Sequence, residues 1–185
     1  MRKLSAFLSL SLDGCFADAA GGVDWAHSDD PEFQRFVADN ARGGGALLMG
    51  RVTYEMMAAW WPSEAARQMS PVVAEGMNRM PKYLVSHRPR NPEWAHTVQL
   101  AGALPEAVRA LKGEAGPDIA ILGSGSLVSQ LAGAGLIDEF QFVVCPLVLA
   151  GGRKVFEGLE DALALQLTES RSFASGQVFL RYRPA

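Results

Sequence analysis

Leu47-Leu48-Met49-Gly50-Arg51-Val52-Thr53-Tyr54-Glu55 reads as a buried strand running through glycine straight into a helix. Ala46 to Met49 is apolar without alternation, as a strand covered on both faces requires. Gly50 breaks that run, Arg51 to Ala59 continues as helix, and Trp60-Trp61-Pro62 closes it. The pattern returns at Ile119-Ala120-Ile121-Leu122-Gly123-Ser124-Gly125-Ser126-Leu127. There Asp118 to Leu122 is the β run, and a helix covers Leu127 to Ala132. At each junction, unpaired backbone N–H groups and the positive end of the helix dipole make an anion site. Gly50, Gly123 and Gly125 remove side chains that would hold a phosphate away, while Thr53, Ser124 and Ser126 add hydroxyl donors. Arg51 brings a forked cation suited to phosphate. Singly, each corner is also an ordinary strand-to-helix turn, with Ser126 as its N-cap. Two such corners in one parallel sheet can converge on a diphosphate at the strands' C-terminal edge.

Outward from these corners, strands and helices alternate. Leu4, Ala6, Leu8, Leu10 and Leu12 alternate with Ser5, Phe7, Ser9 and Ser11, so residues 3–12 are a strand with period 2. A polar, glycine-rich stretch follows to Asp30. Pro31 begins a helix over 31–41 with Asp29 and Asp30 ahead of it as caps. Residues 63–80 are helical, with Pro71 as a break or fresh start. Residues 82–86 are a strand, 87–92 a loop, 96–100 a short strand, 104–112 a helix and 140–146 a strand. Alternating runs at 164–174 and 177–183 flank Ser175-Gly176 and form a terminal hairpin. The pattern is α/β: a mixed, mostly parallel sheet with helices on both faces and a C-terminal antiparallel hairpin. No linker or repeat interrupts residues 1–185, so one domain is expected.

Composition narrows the function. Seventeen Lys+Arg against 20 Asp+Glu leave a net charge of −3, with no basic run to neutralise a phosphate backbone, so nucleic acid is not an expected partner. Cys15 and Cys145 lack CxxC or Cys/His spacing, so they read as free thiols of a reducing compartment, and no metal is expected. The basic Met1-Arg2-Lys3 and the apolar residues after it mimic a signal peptide, but the period-2 alternation is a strand's. No apolar run reaches the ~18 residues of a membrane span. A soluble, cytoplasmic protein is expected. Strand 82–86 exits into Ser86-His87-Arg88-Pro89-Arg90, either a solvated loop or a pocket for the 2′-phosphate of NADP. Gly123-Ser124-Gly125 does not complete a Rossmann fingerprint, because Val128 stands where the third glycine belongs.

Leu48-Met49-Gly50-Arg51-Val52-Thr53-Tyr54-Glu55 resembles the Gly-Arg-x-Thr-aromatic-Glu signature of dihydrofolate reductase, and Leu122 to Leu127 resembles that enzyme's second glycine loop. Ser11-Leu12-Asp13-Gly14 and Pro146-Leu147-Val148-Leu149-Ala150-Gly151-Gly152 are more similar to the reductase domain of riboflavin biosynthesis. The resemblance spans nearly the whole chain. It implies a mixed eight-stranded sheet binding extended NADPH, with hydride passing to a small, flat heterocycle such as a pterin or pyrimidine. It further implies that Gly50, Arg51 and Thr53 contact the diphosphate and adenosine end, and that Ser86, His87 and Arg88 take the 2′-phosphate side. Gly123, Ser124, Gly125, Ser126 and Leu127 would wrap the diphosphate from the other corner. Leu8, Ser9, Asp13 and Phe16 would lie near the nicotinamide and substrate, with residues 13–25 as a lid.

The folate enzyme carries an acid early in its first helix. Asp29, Asp30 and Glu32 are the acids available here, and none aligns with it cleanly. Asp30 and Glu32 are the candidate catalytic acids, and equally a cap and a favourable first-turn charge. Trp60 and Trp61 either line the substrate pocket or plug the helix end against the core. A catalytically silent NADP(H)-binding module of the same fold is the alternative reading. The apolar run Phe140 to Leu149 and the terminal hairpin expose surface that needs cover, so a homodimer through the C-terminal strands is expected.

Overall fold

A computed structural model describes all residues, 1–185. The strands are β1 (Leu4–Leu10), β2 (Cys15–Asp18), β3 (Ala46–Gly50), β4 (Lys82–Val85), β5 (Thr97–Gln99), β6 (Ile119–Leu122), β7 (Glu139–Val144), β8 (Gly152–Lys154), β9 (Leu165–Ser172) and β10 (Val178–Pro184). The helices are α1 (Pro31–Arg42), α2 (Arg51–Trp60), α3 (Glu64–Met69), α4 (Pro71–Arg79), α5 (Leu104–Gly113) and α6 (Gly125–Gly133). Eight strands form one sheet in the order β5-β4-β3-β6-β1-β7-β10-β9. From β5 to β7 every pairing is parallel, so the C-terminal ends of these strands share one edge. β10 runs antiparallel to both β7 and β9, which is the expected terminal hairpin.

Alternation places the core. Leu4, Ala6, Leu8 and Leu10 of β1 are buried with Leu48, Ile121, Phe140 and Phe142 against α5 and α6. On the opposite face, Leu47, Met49 and Leu84 meet Tyr54, Met77 and Trp94, while Val143 and Phe179 meet Phe33 of α1. Ala46 to Met49 is buried throughout because β3 lies between α6 on one side and α2 with α4 on the other. Pro71 does start a new helix, since α3 ends at Met69 and α4 begins at Pro71.

Two local expectations are corrected. The polar stretch after β1 contains a strand: β2 pairs antiparallel with β8 in a separate two-stranded sheet. With 4 and 3 residues the two strands are too short to show a period, and the pair rests on a close approach, where a Cβ on Gly152 would stand 2.5 Å from the Ala17 carbonyl oxygen. The helix expected from Leu127 starts earlier, at Gly125, because the chain turns in the left-handed region at Gly123 (φ 58°) and Ser124 (φ 54°).

Candidate active site

β3 and β6 are neighbours, so the two glycine corners meet at the C-terminal edge. The Gly50 N–H donates to Ser124 Oγ at 2.9 Å, and that hydroxyl donates to Thr53 Oγ1 at 2.9 Å. α1 and α3 are capped by the side chains of Asp30 and Ser63, whereas α2 and α6 have no side-chain cap. Their first-turn N–H groups are thus left to other acceptors. A Cβ on Gly123 would press on Thr53 Cγ2 at 3.3 Å, so glycine lets the two corners approach this closely. Leu127 is buried in the core and its N–H donates to the Ser124 carbonyl at 2.8 Å, so it is not available to a ligand, while Ser126 is exposed. The structure therefore brings Gly50, Thr53, Gly123, Ser124 and Gly125 together.

Arg51 lies beside them on the first turn of α2. Its Nη1 is 2.8 Å from Glu55 Oε2, and Arg90 Nη2 approaches the other carboxylate oxygen at 3.8 Å. After β4, Ser86 Oγ accepts the Arg88 N–H at 3.3 Å, and the side chains of His87 and Arg88 are exposed. The loop is held by Gln99, whose amide donates to the carbonyls of Ser86 and Arg88 and accepts the Arg90 N–H. Sequence reasoning missed Gln99, since it sits on a three-residue strand with no pattern of its own.

Two cavities flank the edge. One of about 520 Å³ lies between α2 and residues 90–94, with Arg51, Tyr54, Glu55, Arg90 and Trp94 in its walls. The other, about 230 Å³, sits past the end of β7, between Trp25, His27 and Ser28 on one side and Cys145, Ser175 and Gln177 on the other. Gln177 is buried there, donating to the Ala26 carbonyl and accepting from Ser175 Oγ. The His27 Nδ1 lies 3.1 Å from the Asp24 carbonyl oxygen. A carbonyl oxygen only accepts, so Nδ1 carries the proton in that contact and Nε2 remains open. Burial pushes the Cys145 thiol pKa up, which keeps it protonated and unreactive. Trp25, His27 and Gln177 were not candidates from sequence, where His27 lacks any spaced partner.

The proposed substrate-side residues are scattered. Leu8 is buried on the α5/α6 face of β1, and Ser9 points to the opposite face. The Phe16 ring packs on Gly125, where an added Cβ would stand 2.2 Å from Cε1. Asp13 accepts from Ser11 Oγ and from the N–H groups of Leu149 and Ala150, tying the turn after β1 to the loop before β8. These bonds, the Ser11 hydroxyl foremost, hold its carboxyl below the usual carboxylate range. Trp60 is exposed, whereas Trp61 packs beside the Tyr54 cluster and its indole N–H contacts Met57 Sδ. None of these six lines either cavity.

Both candidate acids are engaged. Asp30 accepts from the N–H groups of Glu32 and Phe33 at the start of α1 and from the Ser175 N–H in the β9–β10 turn. The Ser175 bond is the main reason its pKa lies below the ordinary value. Glu32 pairs with Arg171 of β9 at 2.7 Å. Each therefore has a structural use in this conformation.

The family model of the RibD C-terminal domain matches residues 2–179. Among curated proteins, the uncharacterized protein YyaP of Bacillus subtilis is 27% identical over 182 residues, covering 98% of this chain and 94% of YyaP. Among solved structures, the Thermotoga maritima diaminohydroxyphosphoribosylaminopyrimidine deaminase/5-amino-6-(5-phosphoribosylamino)uracil reductase superposes with a TM-score of 0.72 at 15% identity. The match covers 100% of this chain and 57% of that one. The Enterococcus faecalis dihydrofolate reductase complexed with NADP(H) superposes with a TM-score of 0.65 at 12% identity, over 98% of this chain and 96% of that one. The fold is thus that of dihydrofolate reductase, as the motifs implied.

Proposed function

Because the chain belongs to the RibD C-terminal domain family, we propose that it is an NADPH-dependent reductase acting on a small, flat heterocycle of pyrimidine or pterin type. The observation that carries this reading is the link from Gly50 through Ser124 to Thr53, which locks two uncapped helix starts into one cradle. The named neighbours support it, since they are a uracil reductase and a dihydrofolate reductase with NADP(H). The corner suits a diphosphate because the first turns of α2 and α6 meet there without a side-chain cap, while the Gly50 N–H is taken by Ser124 and the Gly123 N–H by the Phe7 carbonyl.

Bound NADPH would supply the hydride. Gly50, Gly123, Ser124, Gly125 and Ser126 would hold the diphosphate, with Arg51, Ser86, His87 and Arg88 toward the adenosine end. β6, β1 and β7 lie side by side at about 4.8 Å spacing. A ligand extended along the edge from the cradle passes β1 and reaches the cavity beyond β7. That cavity, about 230 Å³, is smaller than the roughly 300–1,000 Å³ clefts of drug-sized ligands, so it suits a one- or two-ring substrate. Trp25 offers a flat face and Gln177 an amide to such a ring.

The catalytically silent binding module remains the second reading, favoured by one observation: Asp30 and Glu32 are both engaged by other groups. We also propose a homodimer through the C-terminal strands, because β9 is exposed along most of its length at the sheet's edge. Light scattering that gives a concentration-independent mass near 19.9 kDa overturns the dimer.

The function is tested by titrating the protein with NADPH and NADH, following energy transfer from its 4 tryptophans. Saturable NADPH binding is expected, together with oxidation in the presence of some member of a pterin and pyrimidine panel. Absence of saturable binding overturns the reading. Binding without turnover across the panel selects the silent module.

A further inference from the structure

The cavity past the end of β7 is walled by eight residues, and none of them is Lys, Arg, Asp or Glu. Burial keeps the Cys145 thiol neutral, which leaves His27 as the one side chain of the wall able to carry a positive charge. Around the wall, charges are either negative or already committed. Residues 24–32, which supply Trp25, His27 and Ser28, hold Asp24, Asp29, Asp30 and Glu32 and no Lys or Arg. The start of α1 is closed to a ligand, because Asp30 takes the N–H groups of Glu32 and Phe33. The hairpin that supplies Ser175 and Gln177 has three arginines, each with a partner. Arg171 pairs with Glu32, Arg181 lies between Glu139 and Glu169, and Arg183 donates to Gln166.

For an uncharged ring the same wall keeps hydrogen-bonding capacity. His27 Nε2 is open, since Nδ1 is the nitrogen that meets the Asp24 carbonyl. The Ser28 hydroxyl accepts the Asp30 N–H at 3.2 Å and still has its own proton to give. The Trp25 indole N–H is bonded to the Gly22 carbonyl at 3.1 Å, so its flat face is held in place.

We infer that this cavity takes a one- or two-ring heterocycle with no anionic substituent, recognised through a ring amide edge, and rejects the same ring bearing a phosphate or carboxylate. The inference deepens the reductase reading and rests on it, since that reading makes the cavity the substrate's. A ring amide presents an N–H donor beside a carbonyl acceptor, which His27 Nε2 and the Ser28 hydroxyl answer as acceptor and donor. A phosphate monoester carries about −1.5 to −2 charges. Burying it against this wall strips water from the charge and returns no Lys or Arg to it. A substituent that leaves the cavity on the side of residues 24–32 meets Asp24 and Asp29, both exposed, and like charges repel.

The test loads the protein with NADP⁺ and titrates matched pairs by calorimetry, pterin against pterin-6-carboxylate and uridine against uridine 5′-monophosphate. At least one neutral member should bind saturably, with its anionic partner about tenfold or more weaker. That gap should shrink as salt screens the exposed carboxylates. It should shrink likewise in the Asp24→Asn/Asp29→Asn double variant, which should leave the neutral ligand's affinity as it is. His27→Ala and Ser28→Ala should each weaken the neutral ligand several-fold while NADP⁺ binding holds. An anionic member that binds as tightly as its neutral partner overturns the inference, as does a His27→Ala variant that loses affinity for the anion alone. If NADP⁺ binds and neither ring does, or if ring binding ignores both His27→Ala and Ser28→Ala, only this inference falls. If NADP⁺ does not bind, the reductase reading falls first and takes the inference with it.

Discussion

The amide of Gly50 donates to the hydroxyl of Ser124 at 2.9 Å, across 74 positions of sequence. One small side chain thereby joins the exits of β3 and β6. Ser124 also holds a left-handed backbone at φ 54°, which costs a residue with a Cβ about 1–2 kcal/mol. Ser124→Ala should destabilise the protein by about 1–3 kcal/mol, because the Gly50 N–H loses its partner. Ser124→Gly loses the same hydroxyl but relieves the backbone, so it should be the more stable of the two in urea titrations. Both should weaken NADPH binding to a similar degree. A glycine variant no more stable than the alanine variant would show that the turn is not strained.

Gly125 is a second close contact, since a Cβ there would stand 2.2 Å from the Phe16 ring. Phe16 belongs to β2, whose pairing with β8 carries the loops after β1 and β7. Gly125→Ala should push the ring out and lower stability by about 1–3 kcal/mol, the usual cost of overpacking. Adding Phe16→Ala should recover part of that loss, because the ring is what the new methyl meets. A double variant less stable than Gly125→Ala alone would contradict this account in thermal melts.

Asp30 offers a way to separate cap from catalyst. Serine can cap α1 as the carboxylate does, but it cannot donate a carboxyl proton to a substrate. If capping is the residue's work, Asp30→Ser should keep most of the stability and the reduction rate, while Asp30→Ala should melt earlier. The folded-state pKa lies below its ordinary value of 3.8, so the ionised carboxylate stabilises the fold above that value. The contribution should fade as pH falls through the lowered pKa. Acid titrations of wild type and Asp30→Ser should diverge in that range. A collapse of turnover in Asp30→Ser with an unchanged melting temperature would make it a catalytic acid instead.

Lys82 is fully buried, with its ammonium bonded to the carbonyls of Asn78, Met80 and Ala95 and placed 4.4 Å from the Trp94 ring centre. Burial lowers its pKa from 10.5 to about 8. Between those values the unfolded chain holds a proton that the folded chain has released, so stability should rise with pH through this window. The gain is complete above the unfolded value and is lost as pH falls through the folded one. Lys82→Met should flatten that slope, whatever it does to stability at neutral pH. Urea midpoints from pH 7.5 to 10.5 measure it, and equal slopes in both proteins would mean that Lys82 does not titrate there.

The glycine corners, the alternation of β1 and the terminal hairpin could be read from residue order, because each depends on neighbours within about ten positions. An apolar run, a glycine and a helix start are local events with local causes. What the corners touch is not local. Gly50 meets Ser124 only because β3 and β6 are adjacent in the sheet, and strand order leaves no mark in either segment's periodicity. The same holds for Asp30, whose third hydrogen bond comes from Ser175, 145 positions away. From its own neighbours it could be a cap or an acid. The β2–β8 pair and the Gln99 clamp escaped notice because strands of three or four residues are too short to show a period. Periodicity reports which side of an element faces the core; packing the sheet decides which element lies across from it, and therefore which side chains share a site.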